Sequence, residues 1–449
     1  MRKRKHARRG VSFGTICMLT LTALTLVGFC ALVQTFTGGT DIRINAAELA
    51  VAVDQSLSQI ASSASQIISS QPTNEPLSAE ELAIWSGSDA PATQTPQPVA
   101  TTPPTYRFSL CAAGSMVFNT AMFDALTYDG VYRFETLFDD ALVSAMQSDM
   151  TLVTLESTVM DSQKVSNNNA PLQLLPAMRD AGIQLVCLGY PGILAGGIEG
   201  LKETQNAIRA AGMTPYGVYE SQAARQALNS TMAGEVKVAL LSYQDRTTSA
   251  SRNATTEDER AFALAPLDAD VIAADIAAAR QAGAQVVLVS LCWGDQGDTT
   301  VNDDQVAFAQ TIADAGADII LGTYPGALQT VQILTAERGD GKYHPVLCAY
   351  SLGNLVTHDR EKRISISSIL LNAQVVYDSA TGLVAFDELS YTPTYAWRGR
   401  EDGVQRYRIL VNDGVNYPDY VGDDQKAVME RCLKVVTDAM ENSPIPSAV

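Results

Sequence analysis

Histidine is nearly absent from this sequence of 449 residues. The three that occur, His6, His344 and His358, are widely separated along the chain. Metal centres that activate water for hydrolysis usually draw several imidazole and carboxylate ligands into one place. Three scattered histidines are too few to assemble a dinuclear centre built on imidazole ligands.

Paired cysteine motifs are also missing, because none of the seven cysteines has the Cys-X-X-Cys spacing of a zinc knuckle. Free cysteine is among the most buried residue types, so we interpret the cysteines of apolar, strand-like runs as small core hydrophobes. The alternative is a thiol cluster that binds metal. These cysteines are Cys111, Cys187, Cys292 and Cys348.

Charged residues are missing between Arg9 and Asp41. Residues 1–10 carry six Lys or Arg side chains, and the apolar segment 11–36 that follows is long enough to cross a hydrocarbon core as a helix. Positive charge before such a segment predicts a cytoplasmic tail, a transmembrane signal-anchor and an extracytoplasmic body. A cleaved signal peptide is the alternative, but Phe29 before Cys30 spoils a lipoprotein-like cleavage site.

Basic residues are scarce beyond that tail. Without its six basic residues, 25 Lys and Arg face 49 Asp and Glu, a net charge of −24 for the rest of the chain. A surface so acidic repels nucleic acid and polyanions in bulk. It excludes a nucleic-acid partner and counts against simple electrostatic capture of a polyglutamate chain, while a local basic groove stays open.

Composition divides the remaining chain into three parts. Residues 37–105 read as a stalk that ends in a Pro- and Thr-rich linker, which holds the folded domain away from the membrane. Residues 106–412 alternate short apolar runs with helix-length segments. Residues 413–449 form a C-terminal extension with a predicted helix at 423–440.

The alternation within 106–412 predicts a mainly parallel α/β sheet. The predicted strands are 107–113, 150–155, 183–188, 236–242, 286–291, 319–321 and 345–350. The predicted helices are 172–181, 201–211, 268–282 and 304–315. Residues 364–391 are expected to form antiparallel strands around a turn at 379–382.

The octapeptide Ala-Tyr-Ser-Leu-Gly-Asn-Leu-Val at 349–356 follows one of these apolar runs. A buried strand that breaks at such a polar turn delivers it to the mouth of a sheet, where α/β proteins place their sites. This octapeptide closely resembles the closing signature of the CapA-type capsule and poly-gamma-glutamate synthesis family. Seven other segments resemble that family in the same order: FSLCAAGSMVF, TLVTLEST, LGYPGILAGGIEGL, LVSLCWGD, DIILGTYPGALQ, YTPT and RYRIL.

The resemblance implies a calcineurin-like metallophosphatase αββα sandwich after the transmembrane helix. It also implies a hard-metal site built from Asp, Asn and His side chains at strand ends. The first family position should carry Gly-Asp, but this chain has Gly114-Ser115. The second is Asn-Leu-Glu in the family, and only Glu156 of it remains here.

The histidine positions of the family have changed as well. Tyr190-Pro191-Gly192 stands where Asn-Asn-His is usual, and Cys292 replaces the histidine of His-Trp-Gly. Thr323-Tyr324-Pro325-Gly326 occupies the Gly-His-His-Pro-His loop without an imidazole. The resemblance therefore implies a divergent member without metal or cofactor, in which Tyr190 and Tyr324 face each other across the old cleft. Coincidence between two Pro-Gly turns is the alternative.

Seven residues are the candidates for a ligand-binding cleft, and no residue is assigned a catalytic role: Ser115, Glu156, Tyr190, Cys292, Trp293, Tyr324 and Asn354. Each also has a structural interpretation. Glu156 would cap a strand end, Trp293 would pack under its loop, and the Asn354 amide would hold neighbouring loops. Cys292 would need a nearby base to act as a nucleophile, and no recognisable motif supplies one.

The resemblance implies a single-pass membrane protein in capsule, poly-gamma-glutamate or other cell-envelope polymer biosynthesis. It would act as a metal-free pseudoenzyme that binds an anionic polymer or scaffolds the synthesis and export machinery. The alternative is a divergent phosphoesterase or polymer-processing hydrolase that uses Glu156, Cys292 and Asn354. A purely structural interaction module is the third possibility.

Overall fold

The computed structural model of the protein describes residues 103–449, except 361 and 402. The predicted tail (1–10), the predicted membrane segment (11–36) and almost all of the predicted stalk and linker (37–105) lie outside these residues. Within the described part, no helix combines the length and the apolar character needed to cross a bilayer.

The elements follow each other in a mixed α/β order. The strands are β1 (Thr105–Val117), β2 (Thr127–Tyr128), β3 (Val131–Tyr132), β4 (Met150–Leu155), β5 (Leu185–Cys187), β6 (Thr214–Tyr216), β7 (Ser230–Ala233), β8 (Val236–Gln244), β9 (Val286–Cys292), β10 (Ile319–Thr323), β11 (Val331–Glu337), β12 (Tyr343–Ala349), β13 (Asn354–Thr357), β14 (Ser367–Asp378), β15 (Val384–Glu401) and β16 (Val404–Val411). The α-helices are α1 (Thr120–Ala125), α2 (Asp140–Ala145), α3 (Leu174–Asp180), α4 (Gly197–Ala210), α5 (Gln222–Ala227), α6 (Ser249–Ala254), α7 (Glu257–Ala263), α8 (Ala269–Gln281), α9 (Asp303–Ala315) and α10 (Asp423–Met440).

Two mixed sheets form the centre of the domain. The first has the order β16-β15-β14-β1-β4-β5-β6, and β13 pairs with β1 as well. The second has the order β11-β12-β10-β9-β8-β7. In both sheets the inner strands are parallel, and antiparallel strands follow at an edge.

The order of the layers follows from the two directions in which alternating strand side chains point. In β1, Phe108, Leu110 and Ala112 belong to a buried cluster that also contains Val238 and Leu288 of the second sheet. Cys111 and Ala113 point the other way, into a cluster with the helices of the first sheet. Because successive strand residues face opposite sides, one strand serves two cores.

A third cluster packs α8 and α9 against the outer face of the second sheet, through Ile272, Ile276 and Ile312 among others. The order of layers is therefore helices, sheet, sheet, helices. Helix α9 begins with a capping box in which Asn302 and Gln305 bond each other's backbone, and it ends at Gly316, whose φ of 118° is left-handed.

The chain passes from one sheet to the other between β12 and β13. Strand β12 belongs to the second sheet, whereas β13 pairs in parallel with β1 of the first. Residues 350–353, the Tyr-Ser-Leu-Gly of the octapeptide, make this crossing. Tyr350 is fully buried, and Ser351 Oγ donates to the backbone oxygen of Ala327 at 2.7 Å.

The C-terminal helix α10 packs onto the antiparallel part of the first sheet. Its Met429 and Cys432 share a cluster with Trp397 of β15 and Leu410 of β16. The Trp397 indole also donates to Gln425 Oε1 at 3.1 Å. The extension that begins at 413 is thus part of the folded domain.

The predicted mixed α/β class is confirmed, and several elements have the predicted bounds. Strand β4 and helix α10 begin and end where the sequence predicts, and β14 and β15 pair antiparallel around the predicted turn. Alternation of strands and helices alone predicted a mainly parallel sheet, whereas the strands divide between two mixed sheets, as in the αββα sandwich that the family resemblance implied. Apolar periodicity identifies strands but not the partners with which they pair.

A substitution at Gly322, near the end of β10, tests how closely the chain packs where it crosses between the sheets. A Cβ atom there would lie 1.8 Å from the Tyr350 backbone oxygen and 2.5 Å from Trp293 Nε1. We expect Gly322→Ala to lower the free energy of unfolding by about 3 kcal/mol, because backbone atoms must move. Urea unfolding followed by far-ultraviolet circular dichroism measures this change.

Gly422→Ala is the matched control, because a Cβ at Gly422 meets nothing within 4 Å and the φ of −72° suits any residue. Because Gly422 is the N-cap of α10, where alanine is less favourable than glycine, we expect a loss of no more than about 1 kcal/mol. Equal stabilities of the two variants would contradict the close packing described for the crossing.

Candidate functional site

The sequence-predicted site residues lie at the carboxyl ends of parallel strands from both sheets. Ser115 belongs to β1, Glu156 follows β4 and Cys292 ends β9. Tyr324 follows β10, and Asn354 begins β13. In α/β proteins the loops outside these strand ends are the usual place for a ligand.

Strand pairing fixes the first part of the site. Ser115 is opposite Asn354 on one side and Thr154 on the other, with an irregularity in β1 next to it. The Ser115 amide donates to Gly353 O at 3.0 Å, and the Glu156 amide donates to Met116 O at 3.1 Å. The Ser115 hydroxyl also hydrogen-bonds the Glu156 carboxylate.

Glu156 is the electrostatic centre of this group. Burial of the half-covered carboxyl raises its pKa above the ordinary glutamate range, and the hydrogen bond from Ser115 opposes that rise. The negative charge of Glu156 adds to burial in raising the pKa of the Tyr190 hydroxyl and of the Cys292 thiol. Ser115, Tyr190 and Cys292 therefore all lie around Glu156.

Tyr190 lies below the surface of the site. It is 7% exposed, and its hydroxyl has no hydrogen-bond partner among the described residues. Its ring lies against Gly192, where a Cβ would come within 2.8 Å of the ring edge. Tyr324 lines the cleft described below, and Tyr190 is not among its lining residues.

Tyr324 is held by an arginine that the sequence predictions did not include. The Arg246 guanidinium lies 4.4 Å from the centre of the Tyr324 ring, which is a favourable cation–π distance. Arg246 Nη2 donates to Gly294 O at 2.6 Å, and the same atom is 3.3 Å from an Asp295 carboxylate oxygen. Tyr324 itself has a φ of 85°, a conformation rare for residues other than glycine.

Trp293 and Cys292 are core residues. Trp293 is 3% exposed, stacks in parallel on Tyr350 with ring centroids 5.9 Å apart, and donates from Nε1 to Tyr350 O at 2.8 Å. Cys292 is 2% exposed, and burial is the largest cause of its raised pKa. A buried neutral thiol is a poor nucleophile, and a stacked, buried indole presents no face to a ligand.

Asn354 connects two loops. Its Nδ2 donates to Gly326 O at 3.0 Å and to Ser365 O at 3.2 Å. The first oxygen lies in the loop after β10 and the second in the short 3-10 turn Arg363–Ile366. This is the holding role that the sequence analysis gave to the Asn354 amide.

These strand ends open into a cleft of about 670 Å³. Three sequence-predicted residues line it, namely Glu156, Tyr324 and Asn354. The remaining lining residues are Val117, Gln296, Gly297, Pro325, Gly326, Thr357, His358, Asp359, Arg360, Lys362 and Ser365. The cleft therefore combines two partly buried carboxylates, Glu156 and Asp359, with amide, imidazole and basic side chains.

The donors in this cleft do not fit the two-metal centre that the family resemblance implies. Glu156 is the carboxylate that remains of the family pattern. Burial raises the pKa of the Cys292 thiol, which disfavours the thiolate form that binds metal. Within the described residues, no group of three or more His, Cys, Asp and Glu side chains is arranged to hold a metal ion.

Sequence reasoning missed the basic side chains around the mouth of the cleft. Arg246 lies two residues after β8, and His358 comes directly after β13. Arg360 and Lys362 follow in the same loop. Their positions just after strand ends could have identified them as site residues. Residues that follow parallel strands gather at the same edge of a sheet.

Glu156→Gln tests the raised carboxyl pKa. A folded-state pKa above the unfolded value of about 4.5 means that the folded protein holds this proton more tightly. The stability that the protonated form contributes is complete below the unfolded pKa and is lost as pH rises through the folded pKa. We expect Glu156→Gln to keep more stability than the wild type as pH rises from 4.5 toward neutrality.

Urea unfolding at a series of pH values measures this difference. Glu337→Gln is the control, because Glu337 is an exposed residue on β11, and its pH profile should follow the wild type. A Glu156→Gln profile parallel to that of the wild type would show that the Glu156 pKa is not raised.

Comparison with known proteins gives a consistent set of relatives. The family described as "Bacterial capsule synthesis protein PGA_cap" matches residues 109–359. The "Capsule biosynthesis protein CapA" of Bacillus anthracis is 28% identical over 200 residues, which are 43% of this chain and 46% of that protein. The "PGA biosynthesis protein CapA" of Bacillus subtilis strain 168 is 27% identical over 240 residues, 48% of this chain and 59% of that protein.

One similar solved structure is the calcineurin-like phosphoesterase YfkN from Bacillus subtilis, with a TM-score of 0.35 and 12% identity. The alignment covers 75% of this chain and 99% of that one. The NAD nucleotidase NadN of Haemophilus influenzae has a TM-score of 0.37 and 11% identity, covering 76% of this chain and 57% of that one. The chain spans about half the length of the curated relatives that it matches. The match over residues 109–359, more than half of the sequence, shows that this chain belongs to the PGA_cap family of bacterial capsule synthesis proteins.

Proposed function

We propose that this protein is a membrane-anchored, extracytoplasmic member of the family that acts in the biosynthesis of a capsule, of poly-gamma-glutamate or of another cell-envelope polymer. It works by binding the anionic polymer or by scaffolding its synthesis and export machinery, without a catalytic metal. Both curated relatives are named for capsule or PGA biosynthesis, which supports the polymer connection.

One observation carries the proposal, namely the composition of the cleft at the strand ends. Its wall contains the carboxylates of Glu156 and Asp359, the His358 imidazole, Tyr324, Asn354 and the basic side chains of Arg360 and Lys362. Among the described residues, no three His, Cys, Asp or Glu side chains are arranged to hold a metal ion. A metal-dependent phosphoesterase needs several anionic or imidazole ligands to hold its ions. Amide, aromatic and basic groups are instead the groups that bind carboxylate and other anionic groups by hydrogen bonding and charge.

A divergent hydrolase is the second candidate, and the raised pKa of Glu156 favours it. A carboxyl group with a raised pKa keeps its proton to higher pH, which suits the role of a general acid. Such an enzyme would still need a nucleophile or an activated water. Of the residues predicted for it, Cys292 is buried and protonated, and the Asn354 amide is engaged by two loops.

Metal content and turnover separate the two candidates. We expect purified full-length protein, after incubation with manganese or zinc and gel filtration, to retain well under one metal ion per chain. We also expect no phosphodiesterase turnover above background, because the cleft lacks the ligands to hold a metal. Elemental analysis and release of nitrophenol from bis-(p-nitrophenyl) phosphate measure both quantities.

Glu156→Gln is the internal control for this assay. Turnover in the wild type that disappears in Glu156→Gln would support the hydrolase. Stoichiometric metal together with turnover would refute the metal-free binding function. Unchanged background in both proteins is the result that the proposal requires.

The anchor is tested in cells. We expect full-length protein to remain in the membrane fraction after an alkaline carbonate wash, because segment 11–36 would anchor it. We also expect protease added to cells without their wall to degrade the protein, because its body would lie outside the membrane. Immunoblotting measures both, and a cytoplasmic protein that stays intact is the control. A body protected from the protease would contradict the proposed orientation.

A further inference from the structure

A second cleft, of about 820 Å³, lies beside the site and is lined mainly by cations. Its charged residues are Arg360, Lys362, Arg363, Arg431, Lys434 and Asp438. We call this cleft the basic groove. Arg360 and Lys362 line both the basic groove and the strand-end cleft, so the two are adjacent.

Most of these cations have no ionic partner in the part of the chain that the structure describes. Lys434 pairs with Asp438 at 2.7 Å. No acidic side chain of the described residues lies within salt-bridge distance of the other four, and the complete sequence has 49 acidic residues against 31 basic ones. Four cations on one concave surface, none with an acidic partner among the described residues, create a local positive potential against the acidic background.

Arg360 is the most unusual of them. Its Nη1 donates to Ala396 O, and its guanidinium lies 5.5 Å from the centre of the Tyr407 ring. Its Nε and Nη2 are buried without an acceptor among the described residues, and burial lowers its pKa to about 10. Buried charges in proteins are normally paired, so a guanidinium without an acidic partner among the described residues, at the junction of two clefts, is suited to bind an added anion.

The walls of the groove alternate charge with apolar surface. On α10, Val428, Arg431 and Val435 recur at helical spacing and so lie on one face. On the opposite wall, the turn Arg363–Ile366 contributes Arg363 together with Ile364 and Ile366. A ligand that uses this surface fully has anionic groups separated by hydrocarbon.

We propose that the basic groove binds a segment of a linear organic polyanion whose carboxylates are spaced along a partly apolar chain. This inference rests on the proposed function. It places the polymer contact partly on α10, which lies beyond residue 359, the last residue of the family match. A bilayer surface is the less suitable occupant, since a planar array of head groups does not enter a cleft that has a buried guanidinium at its junction.

The test compares two triple variants of the full-length protein. The groove variant combines Lys362→Gln, Arg363→Gln and Arg431→Gln, three exposed residues whose loss leaves the core intact. The control variant combines Arg133→Gln, Arg179→Gln and Lys202→Gln, which remove the same charge from elsewhere on the surface. Circular dichroism and the melting temperature establish that both variants fold like the wild type.

The probes are a short oligo-glutamate, inorganic polyphosphate of matched charge, and phosphatidylcholine vesicles that contain phosphatidylglycerol. We expect the wild type and the control variant to bind oligo-glutamate with similar affinity in calorimetry. The groove variant should bind about tenfold more weakly, because three exposed charge contacts each contribute a modest amount. Added salt should weaken the wild type more steeply than the groove variant.

The possible results have different meanings. Equal affinity of the wild type and the groove variant would overturn the groove assignment and leave the proposed function standing. Failure of the wild type to bind any polyanion would overturn the binding function itself. Binding to vesicles alone would replace the polymer with a membrane, and polyphosphate that binds as tightly as oligo-glutamate would overturn the role given to the apolar walls.

Discussion

The close approach of two backbones, at Gly114 of β1 and Gly353 before β13, is the constraint on which the site depends. A Cβ on Gly114 would lie 2.3 Å from Gly353 O, and the neighbouring Ser115 amide donates to the same oxygen. Because β13 arrives from the second sheet, this contact fastens the crossing chain to the central strand of the first. Ser115, Asn354 and the loop after β10 keep their mutual positions through it.

Local signals in the sequence predicted individual elements well and their assembly poorly. The bounds of β4 and α10 follow from apolar runs and helical spacing within a few residues, so they needed no tertiary information. The division of strands between two sheets depends on pairing across long stretches of chain, such as Thr105 with Asp378. Short strands such as β6 and β7 carry too few residues to show a period.

For the candidate site too, local features were predicted well and their assembly was predicted less well. Strand-end logic correctly brought Ser115, Glu156, Cys292 and Asn354 to one edge, because parallel strands share their direction. Which side chains reach the cleft could not be read in this way, and Tyr190 and Trp293 proved to be buried. Basic residues such as Arg246 resemble ordinary surface residues in the sequence, and their convergence depends on how the loops fold.

The pairing of β1 with β14 has a consequence for the unit of folding. Strand β14 covers the side of β1 opposite β4 along most of its length, yet it begins at Ser367, after the last residue of the family match. A fragment limited to the matched segment would expose the hydrogen-bonding edge of the most central strand, and such edges promote aggregation. The segment that the family model matches is therefore smaller than the sheet to which it belongs, and the antiparallel strands that follow it close that sheet.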